Sequence, residues 1–440
     1  LPENPPGRCC ANPHERIENS ITVKHASPVQ FFTVLFLIPL AVARAENGGA
    51  GVPHPVTNPA SPRMLEGFRV AEGTQRTPGA ALPTELRPLE ARPSTPGEFL
   101  QDIPCGEYID FDRTAPFGPV FDVQDFGAVG DGKTVNTAAI QNAIEAAHGK
   151  GGGTVWIAGG DFVSGTLELK SDVTLRIARD AVLRASRDPS HYAPPHFIHC
   201  DKAQNVRIEG PGKIAGEGQA WWQPPRMNAP VTPPEVFSLE EARSVHFACK
   251  RKKVPGRPSP FIRLNESSNL VVSNLIIENS PGWTLSIDRC EGVQVEGVVL
   301  DNNYHGENTD GIDIVGSSEV AITRCFISTG DDGIVLKNGF AGDVSRAMTN
   351  IRITRCAIRS AANCIKIGTE TWSDISDVLI EDCRLFTEEI WPWALSAIAL
   401  ESVDGAAVRN VTVRNVSANN VTTPLFIRCL LYTSPSPRDS

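Results

Sequence analysis

Positive charge is in short supply in this chain. Lys and Arg total 41 against 51 Asp and Glu, a formal net charge of −10 with a pI near 5.5. That balance argues against nucleic acid and anionic membranes as partners, although local Arg/Lys clusters can still hold an acidic ligand. Paired CxxC spacing is also missing from the eleven cysteines, which removes the usual zinc modules. Cys9 and Cys10 lie far upstream and Cys429 near the end, and any disulfide pairing among the other eight is unreadable. The apolar run at residues 31–43 is too short to span a bilayer comfortably. Lys24 and His25 precede it and Ala43-Arg44-Ala45 closes it, the pattern of a secretory signal. An initiating Met is missing too, so residues 1–45 read as an upstream segment plus signal peptide. The expected product is secreted or periplasmic, with no membrane anchor after signal cleavage.

Residues 46–100 are rich in Pro, Gly, Ala and Thr without a sustained period, and read as a linker or disordered arm. The folded unit is expected over 101–428. Near its start, Ala139, Ile140, Ala143, Ile144 and Ala147 make one apolar helix face, ended by Gly149 and Gly151–Gly153. Short strands then recur. Val173, Val206, Leu270, Val293, Val320, Ile351, Val378 and Val411 open similar segments at intervals of 33, 64, 23, 27, 31, 27 and 33 residues. Leu275, Val298, Cys325, Cys356, Cys383 and Val416 follow the last six of these by five residues and suit an inward ladder, the cysteines acting as small hydrophobes. A second strand aligns Ile312, Ile334, Ile365 and Ile398 inward, with Asp313, Val335, Lys366 and Ala399 outward. Asn205, Asn269, Asn350 and Asn410 stand just before first-strand positions and suit a side-chain ladder. The fold expected is all-β, a single-stranded right-handed parallel β-helix with an N-terminal capping helix, and a monomer. An antiparallel sandwich would leave this vertical register a coincidence. The interval of 64 contains an irregular Pro- and Arg/Lys-rich stretch near 217–258. Residues 429–440 break the pattern and read as a non-native tail, the native chain continuing past Arg428.

The chemistry concentrates in Asn308-Thr309-Asp310-Gly311 and Gly330-Asp331-Asp332-Gly333. Aligned on Asp-Gly-Ile, Asp310 falls on Asp332, 22 residues later, a separation that suits one coil. Adjacent coils lie about 4.8 Å apart, so three acids would share one outer face and raise one another's pKa. That arrangement has little structural use, whereas general acid and base catalysis needs it.

These two motifs, with Asp125-Phe-Gly-Ala-Val-Gly-Asp-Gly132 and Ile214-Ala-Gly-Glu-Gly-Gln-Ala-Trp-Trp222, resemble glycoside hydrolase family 28, the polygalacturonases and their relatives, over about Val120 to Arg428. The resemblance implies hydrolysis of a pectic polysaccharide with inversion. Asp331 would be the general acid, Asp310 and Asp332 would hold the attacking water, and Asn308 would orient a carboxylate or a hydroxyl. Neither metal nor cofactor is implied. An inverting pair is expected about 6.5–9.5 Å apart. The chain departs from the family where Gly-His-Gly and Arg-Ile-Lys are usual. It has Ala362-Asn363-Cys364 and Ala399-Leu400-Glu401 there. Asn363 and Glu401 therefore join the candidate substrate-binding residues, with Lys337 and Lys366 as replacement cations. Unless one of those lysines compensates, a neutral sugar is expected beside the scissile bond. His305 reads as incidental. Trp221, Trp222, Trp283, Trp372, Trp391 and Trp393 could stack on sugars. A β-helix binding or adhesion module is the alternative, and a calcium-dependent lyase a weaker one.

Overall fold

The protein is described by a computed structural model. It describes residues 118–226, 239–339, 346–387 and 394–429, together with two-residue strands at Thr22–Val23 and Arg69–Val70. Successive strands wind into a right-handed parallel β-helix of three sheets, with eleven, nine and eleven strands. The nine-stranded sheet runs from Leu167–Glu168 to Val421–Cys429 and is called the front sheet below. Every strand pairing in the three sheets is parallel, so each coil rests on the one before. The sandwich reading is thereby excluded.

The sequence period and the register coincide. Leu270 pairs with Val293, Val293 with Val320, Val320 with Ile351, Ile351 with Val378 and Val378 with Val411. On the front sheet Ile312, Ile334, Ile365, Ile398 and Leu425 form one column. The inward residues are buried, including Leu275, Val298, Cys325, Cys356, Cys383 and Val416. Those thiols are free. Cys325, Cys356 and Cys383 each donate to backbone carbonyls, and burial pushes the Cys356 thiol far above its ordinary range. They behave as core residues, as their spacing suggests.

The helix Thr137–Gly149 covers the first coil, burying Ile140, Ala143, Ile144 and Ala147. Asn136 stands at its start but does not cap it. Its side chain instead bonds Val129 and Thr134 in the preceding turn.

The stretch near 217–258 is described at residues 217–226 and 239–258. It carries a helix, Leu239–Cys249, packed against the front-sheet strands Ala394–Ser402 and Val421–Cys429. Two short strands pair with the far end of the β-helix. Thr22–Val23 and Arg69–Val70, from the presumed leader and arm, pair with Ser417–Ala418 and Thr412–Val413 on the last coil. Cys429 continues the final strand, while 430–440 and most of 1–117 lie outside the described residues.

Candidate active site

The site lies where the front-sheet strands begin. Three glycines let the coils close there. A Cβ on Gly311 would come within 2.4 Å of the Gly333 carbonyl, one on Gly333 within 2.5 Å of the Cys364 carbonyl, and one on Gly330 within 2.6 Å of the Asn303 carbonyl. The ladder runs unbroken through the corner, Gly311 N–H donating to Asp332 O at 2.9 Å and Gly333 N–H to Asn363 O at 2.8 Å. Thr309 ties the two motifs together. Its hydroxyl donates to Gly306 O at 3.0 Å and accepts from Gly330 N–H at 3.0 Å.

Asp310 and Asp332 are thus stacked on adjacent coils, and Asp331 stands beside them. One oxygen from each of the three lies within 4.8 Å of the others. This is closer than the separation expected of an inverting pair. The reason is geometric: the acids sit on two neighbouring coils, and coil spacing is about 4.8 Å. The three differ in access. Asp310 is 4% exposed as a residue, and the Asp332 side chain is 8% exposed against 17% for the Asp331 side chain. Asp331 is the least buried of the three.

Their partners differ as well. Asp331 accepts from the Asp332 N–H at 3.1 Å and from the buried Lys250 ammonium. Asp332 accepts from Asn363 Nδ2 at 2.6 Å and Lys366 Nζ at 3.2 Å. Asp310 Oδ1 has no hydrogen-bond partner among the described residues. Burial, then the charges of Asp331 and Asp313, hold the Asp310 carboxyl well above the usual carboxylate range. The oxygens are close enough to share a cation, and two lysine ammonium groups already bring positive charge to them.

The candidate binding residues fall into two groups. Asn363 sits directly above Asp332 and is itself fixed by Ser396 Oγ at 2.7 Å. Lys366 lies between Asp332 and Glu401, 3.8 Å from the latter. Burial alone would weaken its ammonium, but Asp332 and Glu401 outweigh burial and its pKa is raised. Burial raises the Glu401 carboxyl, against the pull of Lys366. Asn308 Oδ1 faces Lys253 Nζ at 3.3 Å and Arg257 Nη2 at 3.5 Å.

Lys337 does not join this group. Its ammonium pairs with Asp313 at 2.9 Å and sits 3.5 Å from the centre of the Trp283 ring. Its side chain is 8% exposed, so it is no free cation for substrate. Alternation places Asp313 and Lys337 on the outer face, but it does not reveal that Trp283 is there to cover the ammonium. Trp221 and Trp222 are buried rather than offered to a sugar. Trp372 is 42% exposed, and Trp391 and Trp393 lie outside the described residues.

Sequence reasoning missed His246 and Lys250. The helix Leu239–Cys249 and the residue after it bring both to the acids. His246 is 2% exposed, and burial followed by the Lys250 charge keeps it well below the usual imidazole range. The signal available was the cluster Lys250-Arg251-Lys252-Lys253 in a chain poor in positive charge.

Residues 242–433 match the family described as glycosyl hydrolases family 28. Residues 120–176 match one described as rhamnogalacturonase A/epimerase, pectate lyase-like. A probable polygalacturonase of Vitis vinifera is 30% identical over 293 residues, covering 60% of this chain and 54% of that protein. An exopolygalacturonase of Zea mays is 28% identical over 284 residues, covering 63% and 62%. The family 28 exopolygalacturonase of Yersinia enterocolitica shares the fold, with a TM-score of 0.52, 24% identity and coverage of 72% and 62%. The chain spans about half the length of the curated relatives it matches, 54%, 43% and 40% in three cases.

Proposed function

We propose that this chain, a polygalacturonase-like protein of glycoside hydrolase family 28, is a secreted or periplasmic enzyme that hydrolyses a pectic polysaccharide with inversion. The observation that carries the reading is the difference in access among the three stacked acids. Asp331 is the most accessible of the three and can meet a glycosidic oxygen, while Asp310 and Asp332 are more deeply recessed. The acids lie closer together than is usual for an inverting pair, but recessed carboxylates are poorly placed to bond the anomeric carbon themselves and can hold a water that does. In this mechanism Asp331 gives its proton to the leaving oxygen as the bond to the anomeric carbon breaks. Water attacks from the opposite face and passes its proton to the Asp310–Asp332 pair. Asp332, held in place by Asn363 and Lys366, is the base and Asp310 orients the water.

The pectic class covers polygalacturonate and rhamnose-bearing or decorated chains. Lys337 and Lys366 are both tied to acids, which fits the neutral sugar expected at the position they would serve. The exposed Lys253, beside Asn308, is a candidate cation for a carboxylated sugar at the rim. Reducing-end release from polygalacturonate and rhamnogalacturonan, with NMR of the first anomer formed, tests the proposal. Release of the inverted anomer from either polymer supports it. A retained anomer would reject the mechanism. Polymer binding with no cleavage would favour a binding or adhesion module.

A further inference from the structure

We propose that Lys250 is the positioning residue of Asp331: it orients the carboxyl and stabilises the carboxylate left when the proton passes to the leaving oxygen. The proposal rests on the acid role given to Asp331 above. Its own support is geometric. The Lys250 side chain is 5% exposed and its ammonium bonds Asp331 Oδ2. A buried ammonium is costly unless paired, and here it is paired with the least buried of the three acids.

The segment that carries Lys250 is fastened to the loop that leads to Asp310. Arg251 N–H donates to His305 O at 2.7 Å, and Glu307 N–H returns a bond to Arg251 O at 3.2 Å. Lys253 N–H donates to Glu307 Oε2 at 2.8 Å, and Arg257 Nη1 donates to Glu307 O at 2.7 Å. These bonds lock the insertion to the acid-bearing coils, so the ammonium is held in place rather than carried on a swinging arm. His246, four residues earlier, is buried as well. A preorganised cation acts where charge develops, so its effect falls on the transition state more than on bound substrate.

The test compares Lys250→Met, Lys250→Arg, Asp331→Asn and the Lys250→Met/Asp331→Asn double variant, assayed on whichever of polygalacturonate and rhamnogalacturonan is cleaved faster. Circular dichroism first establishes that each is folded. Lys250→Met should lower kcat by about 10–100-fold with KM changed by less than about twofold, and Lys250→Arg should recover part of the loss. In the Asp331→Asn background, Lys250→Met should cost less than about threefold, since the two act as a unit. A loss confined to KM, no recovery in Lys250→Arg, or an equal loss in both backgrounds would overturn the proposal. If Asp331→Asn is too slow to measure, the split between kcat and KM and the arginine rescue decide it. A loss of less than about tenfold in Asp331→Asn alone would instead overturn the acid role of Asp331.

Discussion

Two corners of the same coils solve one stacking problem in opposite ways. At the corner before the first-strand positions, residues in the left-handed region recur coil after coil: Asp172, Asn205, Asn269, Glu319, Asn350, Asp377 and Asn410. There an asparagine lies above each carboxylate. Asn205 Nδ2 donates to Asp172 at 2.7 Å and Asn410 Nδ2 to Asp377 at 3.1 Å, and Asn350 donates to Glu319. At the start of the front sheet, Asp310 lies under Asp332 with no amide between them. The pKa directions follow. Hydrogen bonds from Ser376, Asn410 and Thr349 hold Asp377 below the usual carboxylate range, while burial and neighbouring acids push Asp310 well above it. The stacking of one coil on the next therefore gives a structural ladder or a reactive cluster according to whether an amide or a second acid fills the next coil.

The largest effect is expected where that difference is erased. Asp332→Asn makes the front corner resemble the ladder corner, and Asp331→Asn removes the proposed proton donor. Each should lower kcat on a pectic polymer by about 10²–10⁴-fold and leave the fold intact by circular dichroism. Near-normal turnover in Asp332→Asn would mean that the acid stack is not the chemistry.

A smaller loss is expected from Lys366→Met. Its ammonium contacts Asp332 at 3.2 Å and Glu401 at 3.8 Å. A charge-assisted hydrogen bond is worth about 1.5–3 kcal/mol, so activity should fall roughly 10–100-fold. Because Lys366 acts on Asp332, the loss should appear in kcat. A loss carried by KM on polygalacturonate alone would place Lys366 on a substrate carboxylate instead.

The contrast between the corners also explains what was legible in the sequence. Ile312, Ile334, Ile365 and Ile398 could be placed in one column because their alternation and coil spacing are properties of short segments. Stacking of Asp310 on Asp332 followed from the same register. Lys250 and His246 were not legible, since the insertion that carries them has no coil period and is placed by its bonds to the loop at 303–310. Lys337 was assigned to the correct face but the wrong company: periodicity gives the direction of a side chain and not the ring that lies over it.

Asp310→Asn should separate activity from stability. The folded protein holds the Asp310 proton more tightly than the unfolded chain does. At pH below the ordinary range of about 4 both states are protonated, and the residue contributes nothing. As pH rises through that range the unfolded chain ionises first, and stability is lost until the folded pKa is passed. The amide cannot ionise. Asp310→Asn should therefore be more stable than wild type at pH 7, with the gain vanishing near pH 4, in thermal unfolding at the two pH values. Equal midpoints at both pH values would show that the stacked acids impose no strain on the fold.

The smallest effect belongs to the amide ladder. Asn205 donates to Asp172 and accepts from Asn269 at 2.5 Å, with φ of 56°. Asn205→Gly keeps the left-handed backbone accessible and deletes both bonds, at a cost of about 1 kcal/mol. Asn205→Ala deletes the same bonds and adds about 1–2 kcal/mol of left-handed strain, which exceeds the roughly 0.4–1 kcal/mol by which glycine favours the unfolded chain. The alanine variant should therefore unfold at lower denaturant than the glycine variant, and both lower than wild type. Neither should change kcat, because no acid of the site touches this corner. A fall in kcat in Asn205→Gly, at a temperature where it remains folded, would mean that the two corners are coupled through the coil and that the ladder helps to hold the acids in register.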